Sequence, residues 1–143
     1  MAPRNSPINL DENALVTFVA AWLKGEGFEV KQALTTKQKG IDIVAERNGD
    51  TWLIEAKGAT SSMVNSVRFG KPFKRGQAHN RIAKALYTGA KLASGNKPPH
   101  AKILLAIPDH PMFVDLLMPI QPALSILNIG LLLVNDAGEV RVV

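Results

Sequence analysis

The stretch GIDIVAERNGDTWLIEAKG, from Gly40 to Gly58, decides how this chain folds. It contains two apolar segments around Asn48-Gly49, a dipeptide that strongly indicates a two-residue type I′ hairpin turn because both turn positions need a positive φ. Three charged residues nevertheless interrupt these segments, namely Asp42, Glu55 and Lys57. The neighbouring Ile, Val, Leu and Trp residues favour burial, so the three charges need a physical explanation.

The register of the hairpin determines where these charges meet. If Arg47 faces Asp50 across the turn, the pairing places Asp42 directly opposite Glu55. Glu55 and Lys57 share one face of their strand, because alternate side chains point the same way. A four-residue loop gives the same pairing, whereas a three-residue loop shifts it by one residue. The sequence therefore predicts two carboxylates about 5 Å apart at Cβ, with an ammonium group two residues along.

Two interpretations of the paired acids are open. They are ordinary surface charges with Lys57 pairing diagonally to Asp42, or they bind a divalent cation. Like charges directly opposite each other are disfavoured in a sheet, and the nearby Val44, Leu53 and Ala56 indicate that neither face is freely solvated. Mg²⁺ or Mn²⁺, which prefer oxygen ligands, would offset the repulsion. We therefore favour a metal site.

The hydrophobic pattern predicts one α/β domain over residues 9–143, preceded by a flexible leader over residues 1–8. Asn9 and Glu12 have the spacing of a capping box at the start of the first helix. The other predicted elements are a strand near 28–34, hairpin strands near 41–47 and 51–57, a helix from Gln77 to about Leu92, a buried strand over 101–108, two short helices over 111–128 and a final hairpin over 129–143.

Composition limits the cellular setting. The 143 residues are 46% hydrophobic, which suits one domain with a sizeable core. The chain contains no cysteine, so disulfides and thiolate zinc sites are excluded, and a reducing cytoplasm fits. The longest apolar run, at residues 129–134, is far too short to cross a bilayer. We therefore expect a cytoplasmic protein with no signal peptide and no membrane association.

The distribution of charge suggests a polyanionic partner. Residues 58–108 contain nine Lys or Arg and no Asp or Glu, within a chain of net charge +5. Such a block favours nucleic acid as the partner, although a basic face kept for solubility is the alternative. The expected nucleic-acid contacts are Arg68, Lys71, Lys74, Arg75, Arg81 and Lys84, with Phe69 and Phe73 as stacking or anchoring groups.

The pattern Gly-Ile-Asp42, followed by Glu55-Ala-Lys57, resembles the catalytic core of the PD-(D/E)xK nuclease superfamily, which has the restriction-endonuclease-like fold. The context over about residues 9–107, including Glu12 and the segment GEGFEV, is most similar to archaeal Holliday-junction resolvases and Mrr-like restriction nucleases. Ile41 stands where the name of the motif has proline, a departure that many members share. The resemblance implies a central mixed sheet flanked by helices, with an α-β-β-β-α-β core plus a C-terminal helix and β-hairpin.

The resemblance also implies residue roles. Asp42 and Glu55 match the metal-binding acids, and the backbone carbonyl of Ala56 matches a further metal ligand. Lys57 matches the lysine that orients or activates the attacking water. These roles imply bound Mg²⁺ or Mn²⁺. They agree with the needs of phosphodiester hydrolysis, which requires a cation and a compact positive charge near the phosphate.

Other polar residues allow two interpretations each. Glu12 matches an extra first-helix acid of some family branches, or it is only the capping-box carboxylate. Gln77 matches a polar residue that begins the next helix, or it simply faces water. His79, His100 and His110 show no metal-ligand spacing and are expected on the surface or in loops.

Together these features predict a metal-dependent endonuclease that hydrolyses DNA phosphodiester bonds in a restriction- or junction-resolvase-like manner. A catalytically inactive nucleic-acid-binding or assembly module of the same fold is the alternative, as is an RNA-cleaving toxin nuclease. A single small domain must usually pair with a second copy to cut both strands, so a homodimer is also expected.

Overall fold

In the part of the chain that the structure describes, six strands form one mixed sheet in chain order, and helices flank it. The computed structural model describes residues 10–34, 40–59, 75–95, 97–98 and 100–143. The predicted α/β class and mixed sheet are confirmed. The elements are α1 (Glu12–Gly25), β1 (Glu29–Ala33), β2 (Ile43–Arg47), β3 (Asp50–Ala56), α2 (Arg75–Ser94), β4 (Ala101–Pro108), α3 (Pro111–Leu117), a 3₁₀ turn (Met118–Ile120), α4 (Gln121–Ile126), β5 (Ile129–Val134) and β6 (Val140–Val142).

The β2–β3 hairpin has the predicted turn and register. Asn48 and Gly49 adopt positive φ values of 53° and 85°, as a type I′ turn requires. Arg47 pairs with Asp50, and the antiparallel register continues to the pair Ile43 and Ile54. The local turn chemistry alone therefore sets which residues face each other along the whole hairpin.

The sheet has a parallel centre and antiparallel strands at both edges. Strands β1, β2 and β3 are antiparallel neighbours, β3, β4 and β5 run parallel, and β6 pairs antiparallel with β5. Parallel neighbours need long crossover connections, which α2 and then the α3–α4 segment supply. Right-handed crossovers that advance in one direction place their helices on one face, and α2 and α3 do pack against each other.

Helices α1 and α2 cover opposite faces of the sheet. The ring of Trp22 on α1 lies 6.5 Å from that of Trp52 on β3. Gly89 on α2 approaches the side chain of Leu105, which pairs in register with Glu55. Because residues at odd spacing along a strand point to opposite faces, Glu55 lies on the α2 face and Trp52 on the α1 face.

The cap of α1 differs from the predicted capping box. The side chain of Asp11 accepts a hydrogen bond of 2.7 Å from the amide of Ala14, and the helix begins at Glu12. Glu12 is therefore the first helical residue. A capping box needs its carboxylate at the third helical position, N3, so the predicted capping box is wrong. Asn9, its predicted partner, lies outside the described residues.

The start of α1 is held against the end of β3. The amide of Ala59 donates to the carbonyl oxygen of Leu10 at 2.7 Å. A Cβ added at Gly58 would clash with the backbone nitrogen of Glu12 and lie 2.6 Å from the carbonyl carbon of Asp11. Neither group belongs to a flexible side chain, so only glycine permits this approach. The contact brings Glu12 to the end of the strand that carries Glu55.

The C-terminal half follows the predicted pattern. Residues 111–126 form two short helices separated by the 3₁₀ turn that contains Pro119, which agrees with the effect of proline on a continuous helix. The apolar run at 129–134 is the buried strand β5. No helix within the described ranges combines the length and apolar character that a membrane span needs.

We predict that Gly58→Ala lowers the free energy of unfolding by about 2 kcal/mol or more, because overpacking against backbone forces the start of α1 away from the strand. Gly25→Ala is the matched control, since a Cβ at this helical position meets nothing within 4 Å. The control is expected to stay within about 1 kcal/mol of the parent. Chemical denaturation measures both values, and equal stability of the two variants would contradict the proposed contact.

Candidate functional site

A side-chain hydrogen bond fixes Asp42 at the open end of the hairpin. Asp42 directly precedes β2, one residue beyond the last strand pair of Ile43 with Ile54. Its Oδ2 atom accepts a hydrogen bond of 2.8 Å from the backbone amide of Ala56. This bond extends the contact between the two strands by one residue. It holds the Asp42 carboxyl group next to Glu55, which would pair with Asp42 if the ladder continued.

Glu55 and Lys57 complete a compact charged cluster with Asp42. The Nζ atom of Lys57 lies 3.2 Å from Oε1 of Glu55, and only 15% and 10% of these side chains are exposed. The Asp42 and Glu55 carboxyl groups lie close enough for the charge of Asp42 to raise the pKa of Glu55. The backbone amide of Lys57 donates to the carbonyl of Ala106 on β4 at 3.0 Å, which anchors the lysine to the sheet. The sequence-predicted meeting of these three side chains is confirmed.

Burial opposes the ionisation of both acids. Burial and the nearby Asp42 carboxylate raise the pKa of Glu55 to about 7, although Lys57 acts in the opposite direction. Burial also raises the pKa of Asp42, despite the opposing hydrogen bond from Ala56. A pair of desolvated carboxyl groups cannot easily carry two negative charges together. One lysine is therefore not enough to neutralise the cluster, and an added cation would be stabilised there.

Glu12 belongs to the same electrostatic cluster. Burial and the charge of Asp42 raise the pKa of Glu12, while Lys57 and Arg81 oppose this rise. Glu12 in turn helps to raise the pKa of Glu55. The half-buried Arg81 comes from α2, so the first turn of α1 and the first half of α2 contribute opposite charges beside the strand acids.

Two other predicted residues lie on α2 near Arg81. Gln77 is half-buried in the first turn of the helix and precedes Arg81 by four residues, so both share a face. Lys84 is exposed and follows Arg81 by three residues. Arg75 is the first residue of α2. Gln77 and Arg81 therefore share one face of α2, and Arg81 is the one of the two that acts on the acid cluster in the pKa of Glu12.

The predicted basic loop is outside the structural description. Arg68, Lys71 and Lys74 lie outside the described residues, as do Phe69 and Phe73. Their contacts with nucleic acid stay predictions. Among the predicted basic contacts, the structure therefore locates only the positions on α2.

The donor set fits a magnesium-like ion that binds partly through its substrate. Within the described ranges, no three His, Cys, Asp or Glu side chains converge as a complete metal-binding group. Asp42 and Glu55 supply two carboxylates. The backbone amide of Ala56 contacts Asp42. The carbonyl group of Ala56 points toward the same side, because the amide and carbonyl groups of one strand residue point to the same neighbouring strand. Mg²⁺ commonly uses one or two carboxylates, waters and substrate phosphates, so this donor set suits it.

The histidines do not contribute to the cluster. His79 and His100 are exposed, as the sequence predicted. His110 is 2% exposed, and its Nδ1 atom accepts a hydrogen bond of 3.1 Å from the amide of Met112 at the start of α3. His110 therefore lies in the loop between β4 and α3, as one of the two expected locations, but its imidazole is buried there and caps α3.

Gly58 is the positioning residue that sequence reasoning missed. It makes room for the backbone of Glu12, and through that contact it sets the distance between the first helix and the strand acids. The feature of the sequence that could have indicated this role is a glycine directly after the Glu-Ala-Lys segment. Its meaning depends on a partner more than forty residues earlier in the chain, which no local pattern reveals.

Comparison of the chain with protein-family models, with curated proteins and with solved structures gave no match. The residues of the site are therefore the basis for inferring the function of this chain.

We predict that, without metal, the protein loses stability as the pH rises from 4.5 to about 7. In this window native Glu55 keeps a proton that the unfolded chain releases, because its pKa is raised from 4.5 to about 7. The free energy of unfolding falls by up to about 3 kcal/mol, at roughly 1.4 kcal/mol per unit, and this contribution levels off above the window. Denaturant unfolding at a series of pH values, with a chelator present, measures the fall.

The variant Glu55→Gln isolates this contribution because it removes the titrating group and keeps the side-chain size. Its stability relative to the parent is expected to increase steadily across the same pH range. Glu26→Gln, at an exposed position, is the control and should follow the parent. If Glu55→Gln and the parent show the same pH dependence, the buried acid pair does not exist as described.

Proposed function

We propose that this chain is a metal-dependent endonuclease of the restriction-endonuclease-like fold that hydrolyses phosphodiester bonds in DNA. The single observation that carries the proposal is the buried cluster in which the Asp42 carboxyl group raises the pKa of Glu55 and the Nζ atom of Lys57 lies 3.2 Å from Glu55. The cluster combines two acids that resist joint ionisation with one cation at the end of a parallel strand. This arrangement suits the binding of a divalent ion and a phosphate.

Each residue of the cluster has a defined role in the proposed reaction. Asp42, Glu55 and the carbonyl of Ala56 would hold Mg²⁺ or Mn²⁺, with one Asp42 oxygen kept in place by the Ala56 amide. When bound, the ion supplies Lewis-acid polarisation of the phosphate and lowers the pKa of a water molecule. The ammonium group of Lys57 would turn from its ion pair with Glu55 toward that water and the scissile phosphate.

The charge balance of the site supports an anionic substrate. Glu12, Asp42 and Glu55 are three acids, whereas Lys57 and Arg81 supply two positive charges. A divalent ion would make the whole group net positive, so a phosphodiester would then be attracted. Arg81 opposes the pKa rise of Glu12, and in the proposed enzyme its guanidinium would hold a neighbouring phosphate.

The proposed DNA surface continues along α2. Lys84 is exposed on this helix, and Gln77 shares the face of Arg81. Residues 58–108 contain no acid that would repel a polynucleotide. Cleavage of both DNA strands would require two such sites, so a homodimer is part of the proposal, and light scattering measures it.

We predict Mg²⁺- or Mn²⁺-dependent cleavage of plasmid DNA or a four-way junction, and loss of this activity in Lys57→Ala. The expected fall in rate is at least about a hundredfold, which is typical for removal of one group that stabilises developing charge. Lys97→Ala is the matched control: Lys97 is exposed and donates to the carbonyl of Ala93, near the C-terminal end of α2. The control should retain parental activity, and circular dichroism verifies that both variants fold.

The substrate panel also includes RNA. Equal cleavage by the parent and Lys57→Ala, or no metal-dependent cleavage of any substrate, would overturn the enzyme proposal. In the second case, retained binding to DNA would identify a catalytically inactive nucleic-acid-binding module. Cleavage of RNA alone would contradict the choice of DNA and identify an RNA-cleaving nuclease.

A further inference from the structure

A polar cleft lies at the end of the sheet away from the acid cluster. Lys102 pairs in register with Trp52, three residues before Glu55 on β3, which is about 10 Å along the strand. It also points to the opposite face of the sheet from Glu55. The cleft is therefore separate from the proposed nuclease site. Its lining residues are Lys102, Gln121, Ser125, Asn128, Ile129, Gly130, Leu131 and Val143.

Lys102 gives this cleft its positive charge. The lysine is half-buried, and no aspartate or glutamate lines the cleft. In the part of the chain that the structure describes, Lys102 forms no ion pair with a carboxylate. An ammonium group that is partly removed from water and has no carboxylate within ion-pair distance favours a bound anion.

Gly130 makes room for the lysine stem. This glycine is the one residue without a side chain in the otherwise apolar strand β5. A Cβ at this position would lie 3.2 Å from Cε of Lys102 and 3.1 Å from Cδ2 of Leu104. Both distances are shorter than ordinary van der Waals contact, so the missing side chain lets the Lys102 stem cross β5 and reach the cleft.

The remaining polar groups add hydrogen-bond donors. Nε2 of Gln121 donates to Oγ of Ser125 at 3.0 Å. The hydroxyl group of Ser125 accepts in this contact, so its own proton is directed elsewhere and can be donated to a ligand. Gln121 keeps a second amide proton, and the side-chain amide of Asn128 supplies two more. The lining therefore offers donors from three side chains besides Lys102.

The size of the cleft selects a small ligand. Its volume is about 150 Å³, whereas pockets for drug-sized ligands occupy roughly 300–1,000 Å³. A positive charge, several donors and this volume suit one tetrahedral oxyanion. We propose that the Lys102 cleft binds a single phosphate group, either free inorganic phosphate or a phosphate of a polynucleotide. The inference does not depend on nuclease activity.

Titration of the ¹⁵N-labelled protein with inorganic phosphate, at constant ionic strength and with a chelator present, tests this site by NMR. Saturable shifts are expected for the backbone amides of Gln121, Ser125, Asn128 and Gly130, which line the cleft. Lys102→Gln should weaken the affinity roughly tenfold or more, since it removes a hydrogen bond to a charged group. Shifts that grow linearly without saturation would overturn the proposal.

Two further variants make the result specific. Lys97→Gln removes the same charge from an exposed lysine outside the lining, and its phosphate affinity should equal that of the parent. An equal loss in both lysine variants would identify general charge attraction and refute the site. Ser125→Ala changes an exposed helical residue and should weaken binding several-fold. If circular dichroism shows that Lys102→Gln does not fold, the phosphate affinity of Ser125→Ala tests the site instead.

A short DNA duplex distinguishes the two phosphate sources. If the duplex shifts the same four amides and competes with phosphate, the cleft takes a polynucleotide phosphate. If phosphate saturates the cleft and the duplex leaves these amides unchanged, the ligand is a free anion. Both results support the anion site. If the duplex still shifts these amides in Lys102→Gln, that result contradicts the role of the lysine.

Discussion

The hydrogen bond from the Ala56 amide to the Asp42 carboxylate is the constraint on which the candidate site depends. The backbone ladder of the hairpin ends one residue earlier, at the pair of Ile43 and Ile54, so the strand pairing alone does not hold the Asp42 side chain. The 2.8 Å contact places that carboxyl group beside Glu55 and uses only one of its two oxygens. The second oxygen takes no part in this hydrogen bond, so in the proposed enzyme the same carboxylate would serve both as a structural link and as a metal ligand.

Burial and charge act together around this link. The start of α1 lies against Gly58, and α2 covers the face that carries Glu55, so the acids are enclosed from two sides. Enclosure raises the pKa values of Glu12, Asp42 and Glu55. The native fold thus maintains an unfavourable group of acids that a divalent cation would relieve. In the proposed enzyme, binding of the ion and stabilisation of the fold would be one process.

A feature of this fold can be predicted from the sequence when the residues that cause it are close together in the chain, and not when they are far apart. The Asn48-Gly49 turn sets the register locally, so the meeting of Asp42, Glu55 and Lys57 is visible in the sequence. The predicted N-cap of α1 is wrong because Asn9 and Asp11, two residues apart, are both suitable acceptors. The helix begins after Asp11, where residues 10–12 also contact the distant Gly58 and Ala59. Burial of His110, and the closeness of Glu12 to Arg81, likewise depend on packing between separate elements.

The proposed function requires Asp42 and Glu55 to bind one divalent ion together. Anomalous diffraction from crystals soaked with Mn²⁺ can locate that ion. We expect a peak about 2.2 Å from an oxygen of each carboxylate, and loss of this peak in Asp42→Asn. Crystals in which Mn²⁺ binds elsewhere, or in which the two carboxyl groups point to opposite faces of the hairpin, would contradict the account.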